Sequence, residues 1–413
     1  MILLTHPTGN ANVRHAALGL HRAGLLGEFW TCLDYRGAGG LGRLLPASVV
    51  GQLQRRTNPA ELASLIRTHP WREAARLLAA RLPAGPLVRH ETGPLSVDAV
   101  YHSLDRAVAR RLRAGKFQGV YAYEDGAAAA FTAAATRGLR RIYEQPIGHW
   151  RAARALLGEE AEREPEWAAT LTGNQDSSAK NDRKDAELAL ANVVVAASSF
   201  TRRTLEQSGQ LKAPVVVIPY GAPPPPVVAR GAEQGPDQAP LRVLFVGGLS
   251  QRKGLSYLFA AERALRGAIT LTVIGAKPPT TCAALDRALA DVRWIPSCPH
   301  ATILAEMMAH DVLVFPSLFE GFGLVLLEAM AMGLPVITTA HTAGPDLITE
   351  GVEGYIIPIR STSAIVERLE ALRREPERRR EMGRQARARV ATLSWESYGE
   401  QLSNLVRSTL APG

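Results

Sequence analysis

Cysteine is scarce. The 413 residues contain three, Cys32, Cys282 and Cys298. They lack metal-ligand spacing and cannot all pair, which argues against a zinc module or a disulfide-stapled fold and for a reducing cytosol. No apolar run is long enough to span a bilayer. Met1–Pro7 lacks a basic start and a cleavage site, so it reads as a first β-strand rather than a signal peptide. Aromatics are only 6% of the chain. Neither zinc-finger spacing nor a series of stacking rings accompanies the arginines, so no nucleic-acid partner is expected. The turn Thr8–Arg14 also lacks the Gly-x-Gly-x-x-Gly pattern of dinucleotide sites, which argues against NAD.

What is present is a globular composition, 46% hydrophobic and 21% charged. The length favours two or three domains with ample cores. The net charge of +9 is arginine-dominated. Basic clusters fall at Arg110–Arg111, Arg113 and Lys116, then at Arg137, Arg140–Arg141, Arg151 and Arg154. They read either as solvated helix faces or as a contact with an acidic acceptor or anionic lipid headgroups. A cytoplasmic protein, with or without peripheral contact at the inner membrane face, is the expected setting.

Apolar strands alternate with amphipathic helices, which predicts an α/β fold with mostly parallel sheets. Val120–Tyr123, Val193–Ala196, Val215–Ile218, Leu241–Gly248 and Leu271–Gly275 read as strands. Leu41–Leu95, rich in Leu, Ala and Arg and broken by prolines, reads as helical excursions. Pro223–Pro226 and the polar stretch to Pro240 read as a linker. The predicted units are 1–222, the linker 223–240, 241–385 and a C-terminal helix within 386–413.

The most informative segment is Pro316–Met330. A strand-like run, Val312–Phe315, leads into a glycine turn flanked by Glu320 and Glu328, and the turn opens an apolar helix. A helix start offers unpaired N–H groups and partial positive charge, which suit phosphate or sugar oxygens. Gly321 and Gly323 allow close backbone approach. The two glutamates can accept hydroxyl hydrogens. A capping glutamate on a buried helix is the plainer reading. The co-occurrence of Glu320, the glycines, Glu328 and the exit Ala331–Ile337 favours a ligand site.

This segment resembles the donor-sugar signature of retaining glycosyltransferases of family 4, also called glycosyl transferases group 1: E-G-F-G-x-x-x-x-E-A-M-A-x-G-x-P-V. The resemblance is strongest over Leu241–Ile359. It implies GT-B architecture, two Rossmann-like domains facing a cleft, with a C-terminal helix returning to the first. It further implies that Glu320 touches the donor sugar and Glu328 the ribose, with the backbone of Gly321, Phe322, Gly323 and Leu324 against sugar and phosphates. Gly247–Gly254 offers a diphosphate site after a strand. Lys253 matches the family lysine. Gly248 stands where relatives carry arginine, and Arg252 is taken as the second cation. Lys253, Arg252 and Glu320 are the expected catalytic set.

In the first domain, Gly9 is a candidate for close donor approach. Relatives place a histidine near Tyr123–Gly126, and this chain has none. Glu124 or Asp125 either orients an acceptor hydroxyl or caps the helix Ala127–Ala135. His149 is a candidate acceptor contact, and His300 a candidate neighbour of the base. The expected partners are a nucleotide-diphosphate sugar and a hydroxyl acceptor (glycan, lipid-linked or small molecule), with no cofactor and no metal. A nucleotide-sugar epimerase and a non-catalytic nucleotide-sugar-binding protein are the competing readings.

Overall fold

The computed structural model describes residues 1–36, 51, 53–79, 85–171, 176–226 and 239–411. Most of the expected linker lies outside the described residues. The first sheet is built from β1 (Ile2–Thr5), β2 (Leu26–Thr31), β3 (Ile66–Thr68), β4 (Gly119–Tyr123), β5 (Arg140–Gln145), β6 (Val193–Ala196) and β7 (Val215–Val217). Its order is β3-β2-β1-β4-β5-β6-β7. The second sheet contains β8 (Leu241–Val246), β9 (Ile269–Ile274), β10 (Arg293–Ile295), β11 (Val312–Phe315), β12 (Val336–Thr339) and β13 (Gly354–Ile357). Its order is β10-β9-β8-β11-β12-β13. All pairings between these strands are parallel.

Parallel strands covered on both faces must be apolar throughout. β1, β4, β6, β11 and β12 are accordingly buried at every position. Part of the region read as helical excursions, residues 41–50, 52 and 80–84, lies outside the described residues, and the described part includes a strand. Ile66–Thr68 forms the edge strand β3, of which only Ile66 is buried. With one inward residue it carries almost no periodicity to read.

In each sheet the strand order reverses once, between β1 and β4 and between β8 and β11. Loops diverge from such a point, and a crevice opens beyond the strand carboxyl ends. The loop after β1 carries Gly9 and the loop after β4 carries Glu124. The loop after β8 carries Arg252 and Lys253, and the loop after β11 carries Glu320.

Several contacts hold the two domains together. Helix 395–410 packs on helix 11–22, where Gly19 and Gly399 cross closely enough that a Cβ on Gly19 would strike the Gly399 backbone. His15 stacks on Trp395 at 4.1 Å. The Glu144 carboxylate is buried beneath this junction and accepts from Tyr121 (2.5 Å) and Tyr220 (2.8 Å) hydroxyls. A second seam is made by helix 150–163 and the turn 165–170, which lean on the second domain. Trp167 stacks on Phe259 at 5.9 Å. Glu160, fully buried, accepts from Gln251 Nε2 (2.7 Å), Tyr257 (3.0 Å) and Arg360 Nε (2.7 Å).

Removing one partner of a buried pair strands the other charge, a loss of about 3–5 kcal/mol. Arg360→Ala is therefore expected to lower the urea unfolding midpoint strongly. Adding Glu160→Gln should recover much of that loss, because the stranded charge is gone. Additive losses in the double variant would show that the pair carries no coupling.

Candidate active site

The site begins with two turns at the second sheet's switch point. After β8, Gly247 donates its N–H to the Ile274 carbonyl at 2.9 Å. Gly248 is exposed, with open space where a Cβ would stand. Ser250 then caps a 3-10 turn over Gln251–Lys253, which ends at Gly254 in the left-handed region with φ of 71°. A Cβ on Gly254 would run into the Pro316 carbonyl. The two turns therefore touch through a position that only glycine satisfies.

That contact brings Arg252 and Lys253 to Glu320. Lys253 Nζ meets Glu320 Oε2, and Arg252 Nη1 lies 3.4 Å from the same oxygen. Arg252 Nη1 also donates to the Phe319 carbonyl at 2.6 Å. Lys253 Nζ sits 4.6 Å from the Phe315 ring centre. Lys253 is only 7% exposed. Burial, and then the adjacent Arg252 charge, push the Lys253 pKa well below its ordinary value. The Glu320 carboxylate against the ammonium opposes both effects. Burial likewise lowers Arg252.

Among the described residues, Glu320 is the one carboxylate paired with either cation. With Lys253 protonated, two cations against one acid leave a surplus positive charge in a desolvated setting. Such a charge is costly unless an anion completes it. Phosphate is suited to the task, because guanidinium and ammonium donors give short charge-assisted hydrogen bonds.

Gly323, with φ of 86°, starts helix 324–331. Leu324 stands partly exposed at its first turn. Gly321, whose N–H donates to Glu320 Oε1 at 3.3 Å, and Phe322 also make contacts across the domain seam. The Gly321 carbonyl accepts from Thr201 Oγ1 at 3.0 Å and from Ser198, and a Cβ there would meet the Pro146 carbonyl. Phe322 is buried 5.1 Å from the Tyr220 ring. Both pack the domain seam. Glu328 Oε1 bonds His300 Nε2 at 2.9 Å, so the second glutamate and the histidine expected near the base form one pair.

The first-domain candidates separate. Gly9 lies in the left-handed region with φ of 57°, and its N–H donates to His6 Nδ1 at 3.0 Å. Burial pushes His6 down to about 3, so the ring is neutral and accepts. Glu124 lines a cavity of about 190 Å³ between the domains, with Trp150, Arg154, Lys184, Arg252 and Phe319. Neither Glu124 nor Asp125 caps helix 128–135. Glu187 and Asp105, from neighbouring helices, take that role by accepting from Ala127, Ala128, Ala129 and Ala130 N–H groups. Asp125, with φ of 70°, pairs instead with Arg183 at 3.3 Å. His149 is 2% exposed and caps helix 150–163, accepting from the Arg151 N–H at 3.3 Å. It does not line the cavity. His90, Glu91 and Asp176 converge within 4.8 Å, but Asp176 is already bonded to Lys180 (3.1 Å) and Lys184 (2.8 Å). Sequence reasoning missed Trp150, Arg154 and Lys184 as cavity residues. They sit on ordinary amphipathic helices, and only the tertiary fold distinguishes them.

Two switch-point crevices facing one another define the GT-B architecture. The family described as glycosyl transferases group 1 matches residues 231–389. The D-inositol 3-phosphate glycosyltransferase of Segniliparus rotundus is 30% identical over 265 residues, 60% of this chain and 57% of that protein. A sucrose synthase of Acidithiobacillus caldus is 36% identical over 126 residues, 28% of this chain and 16% of that protein. The matched stretches thus span well under two thirds of these relatives. Among solved structures, sucrose-phosphate synthase from Thermosynechococcus elongatus superposes with a TM-score of 0.67 at 19% identity, covering 98% of each chain. HepE from Anabaena, in complex with UDP-glucose, gives 0.61 at 16% identity, covering 98% of this chain and 99% of that one.

Lys253→Met cancels the surplus charge. A charge-assisted hydrogen bond contributes about 1.5–3 kcal/mol, so pyrophosphate affinity by calorimetry should drop about tenfold or more. Unchanged affinity would place the anion elsewhere.

Proposed function

We propose that the protein is a retaining glycosyltransferase that moves a sugar from a nucleotide-diphosphate sugar to a hydroxyl acceptor in carbohydrate biosynthesis. The observation that carries this reading is the surplus positive charge of Arg252 and Lys253 over Glu320, set at the switch point of a group 1 domain. The donor diphosphate lies against the two cations. Glu320 bonds the sugar hydroxyls, and Glu328 the ribose. Chemistry breaks the bond from the anomeric carbon to the diphosphate oxygen. The acceptor oxygen bonds to that carbon on the same face, and the acceptor proton goes to the departing diphosphate. Arg252 and Lys253 stabilise the charge that develops there, which accelerates the step more than it tightens ground-state binding.

Thermal-shift screening against UDP-, GDP- and ADP-sugars tests the donor. A true donor at about a hundred times its dissociation constant adds about 2.7 kcal/mol. Glu320→Gln should abolish transfer while retaining nucleoside diphosphate binding, and the wild-type product should keep the donor's anomeric configuration by NMR. Inversion, or full turnover in the variant, would reject the reading. An epimerase would instead convert the donor with no acceptor present, and a pure binding protein would leave the donor intact.

We also infer peripheral contact with an anionic membrane. Residues 1–150 carry 19 Lys and Arg against 10 Asp and Glu, so the whole net charge of +9 resides there. Helix 71–79 presents Trp71, 79% exposed, and Leu78, 64% exposed, seven residues apart on one face. Burial and then the charges of Arg110, Arg72 and Arg106 lower the neighbouring His69, which places these arginines around one spot. Arg111 and Arg151, by contrast, are occupied by Glu28 and Asp185. Among the described residues no helix is long and apolar enough to cross a membrane. Phosphatidylglycerol vesicles should therefore sediment the protein at low salt, phosphatidylcholine vesicles should not, and Trp71→Ala should weaken the binding. Equal behaviour with both lipids would contradict this.

A further inference from the structure

The cavity between the domains holds more polar chemistry than a donor diphosphate requires. Glu124 stands at the first sheet's switch point, where its carboxylate accepts from Gln145 Nε2 at 2.9 Å. Asn181 and Lys184 reach the same hollow from helix 178–190, and Trp150 and Arg154 from helix 150–163. Arg252 lines the same cavity and touches Glu320 at 3.4 Å. A group held by Glu124 is therefore directed at the place where the donor sugar meets its diphosphate. The volume is about 190 Å³. A cavity of roughly 150 Å³ accommodates one benzene ring, so this one has room for a six-membered ring.

Resting on the transferase reading above, we propose that this cavity is the acceptor subsite. It takes one six-membered polyol ring, and the ionised Glu124 carboxylate accepts a hydrogen bond from the ring hydroxyl next to the attacking one. The attacking hydroxyl keeps its own proton free for the departing diphosphate, so no additional base is needed.

The surroundings make this contact sensitive to pH. Burial pushes Glu124 up to about 7; Lys184 opposes the shift, and Asp125 and Asp176 add to it. Arg154 and Arg252 also line the hollow. Below that pKa the carboxyl is protonated and loses its charge-assisted bond to the ring. The acceptor KM should therefore rise as the pH falls through about 7.

The test is steady-state transfer to a panel of cyclitols and methyl hexopyranosides, with glucitol as the acyclic control, across pH 5.5 to about 8.5. The wild type should use ring acceptors and reject glucitol. Glu124→Gln should raise the acceptor KM about tenfold or more, with a smaller effect on kcat, and its KM should no longer vary across this pH range. Nucleoside diphosphate binding, read by thermal shift, confirms that the variant is folded. A Glu124→Gln enzyme with the wild-type KM and pH profile overturns the role of Glu124. Equal use of glucitol, or transfer to no ring acceptor while the donor still binds, overturns the acceptor class. Failure of the wild type to bind any nucleotide sugar would instead overturn the transferase reading.

Discussion

A buried lysine and a half-buried arginine share a single carboxylate, and the rest of the site is arranged around that imbalance. Arg252 and Lys253 are adjacent in sequence and repel one another. They are held together by the 3-10 turn that ends at Gly254, whose close approach to Pro316 leaves no room for a side chain. Glu320, arriving from the neighbouring strand's loop, neutralises one charge and leaves the other for a ligand. The strand order explains why these groups meet. β8 and β11 are neighbours in the sheet but separated by two strands in sequence, so their loops diverge over a shared crevice.

The second constraint is the seam that presents this crevice to the first domain. Gly321 gives its carbonyl to Ser198 and Thr201, and Gly148 leaves no room for a Cβ beside the Phe319 ring. Glu160 ties helix 150–163 to Gln251 and Arg360. The Gln251 that meets Glu160 directly precedes Arg252. Domain contact and the cation pair are therefore parts of one turn.

The parallel sheets were legible because central strands must be apolar on both faces. Val193–Ala196 and Val312–Phe315 read as strands and form β6 and β11 with the same bounds. β3 was not, since only one of its three residues is buried. Glu320, the cations and the glycines are each ordinary alone, and the site was visible because they occur together in the pattern of the resembled motif. The division of labour within the glycine turn was not: Gly323 starts the helix, whereas Gly321 and Phe322 serve the seam. His149 was a candidate acceptor contact because its loop ends a strand facing the presumed cleft, although a lone loop histidine is more often structural; it caps the next helix. Arg154 read either as a solvated helix residue or as an anion contact, and Lys184 was not singled out. Their convergence on Glu124 depends on contacts between elements far apart in sequence.

The central claim is that the Arg252–Lys253 pair receives the diphosphate. A crystal structure with a nucleoside diphosphate bound tests it most directly. The account predicts phosphate oxygens about 2.7–2.9 Å from the Lys253 Nζ and the Arg252 guanidinium, with the ribose at Glu328. A diphosphate bound away from both cations, with Lys253 still closed on Glu320, would contradict it.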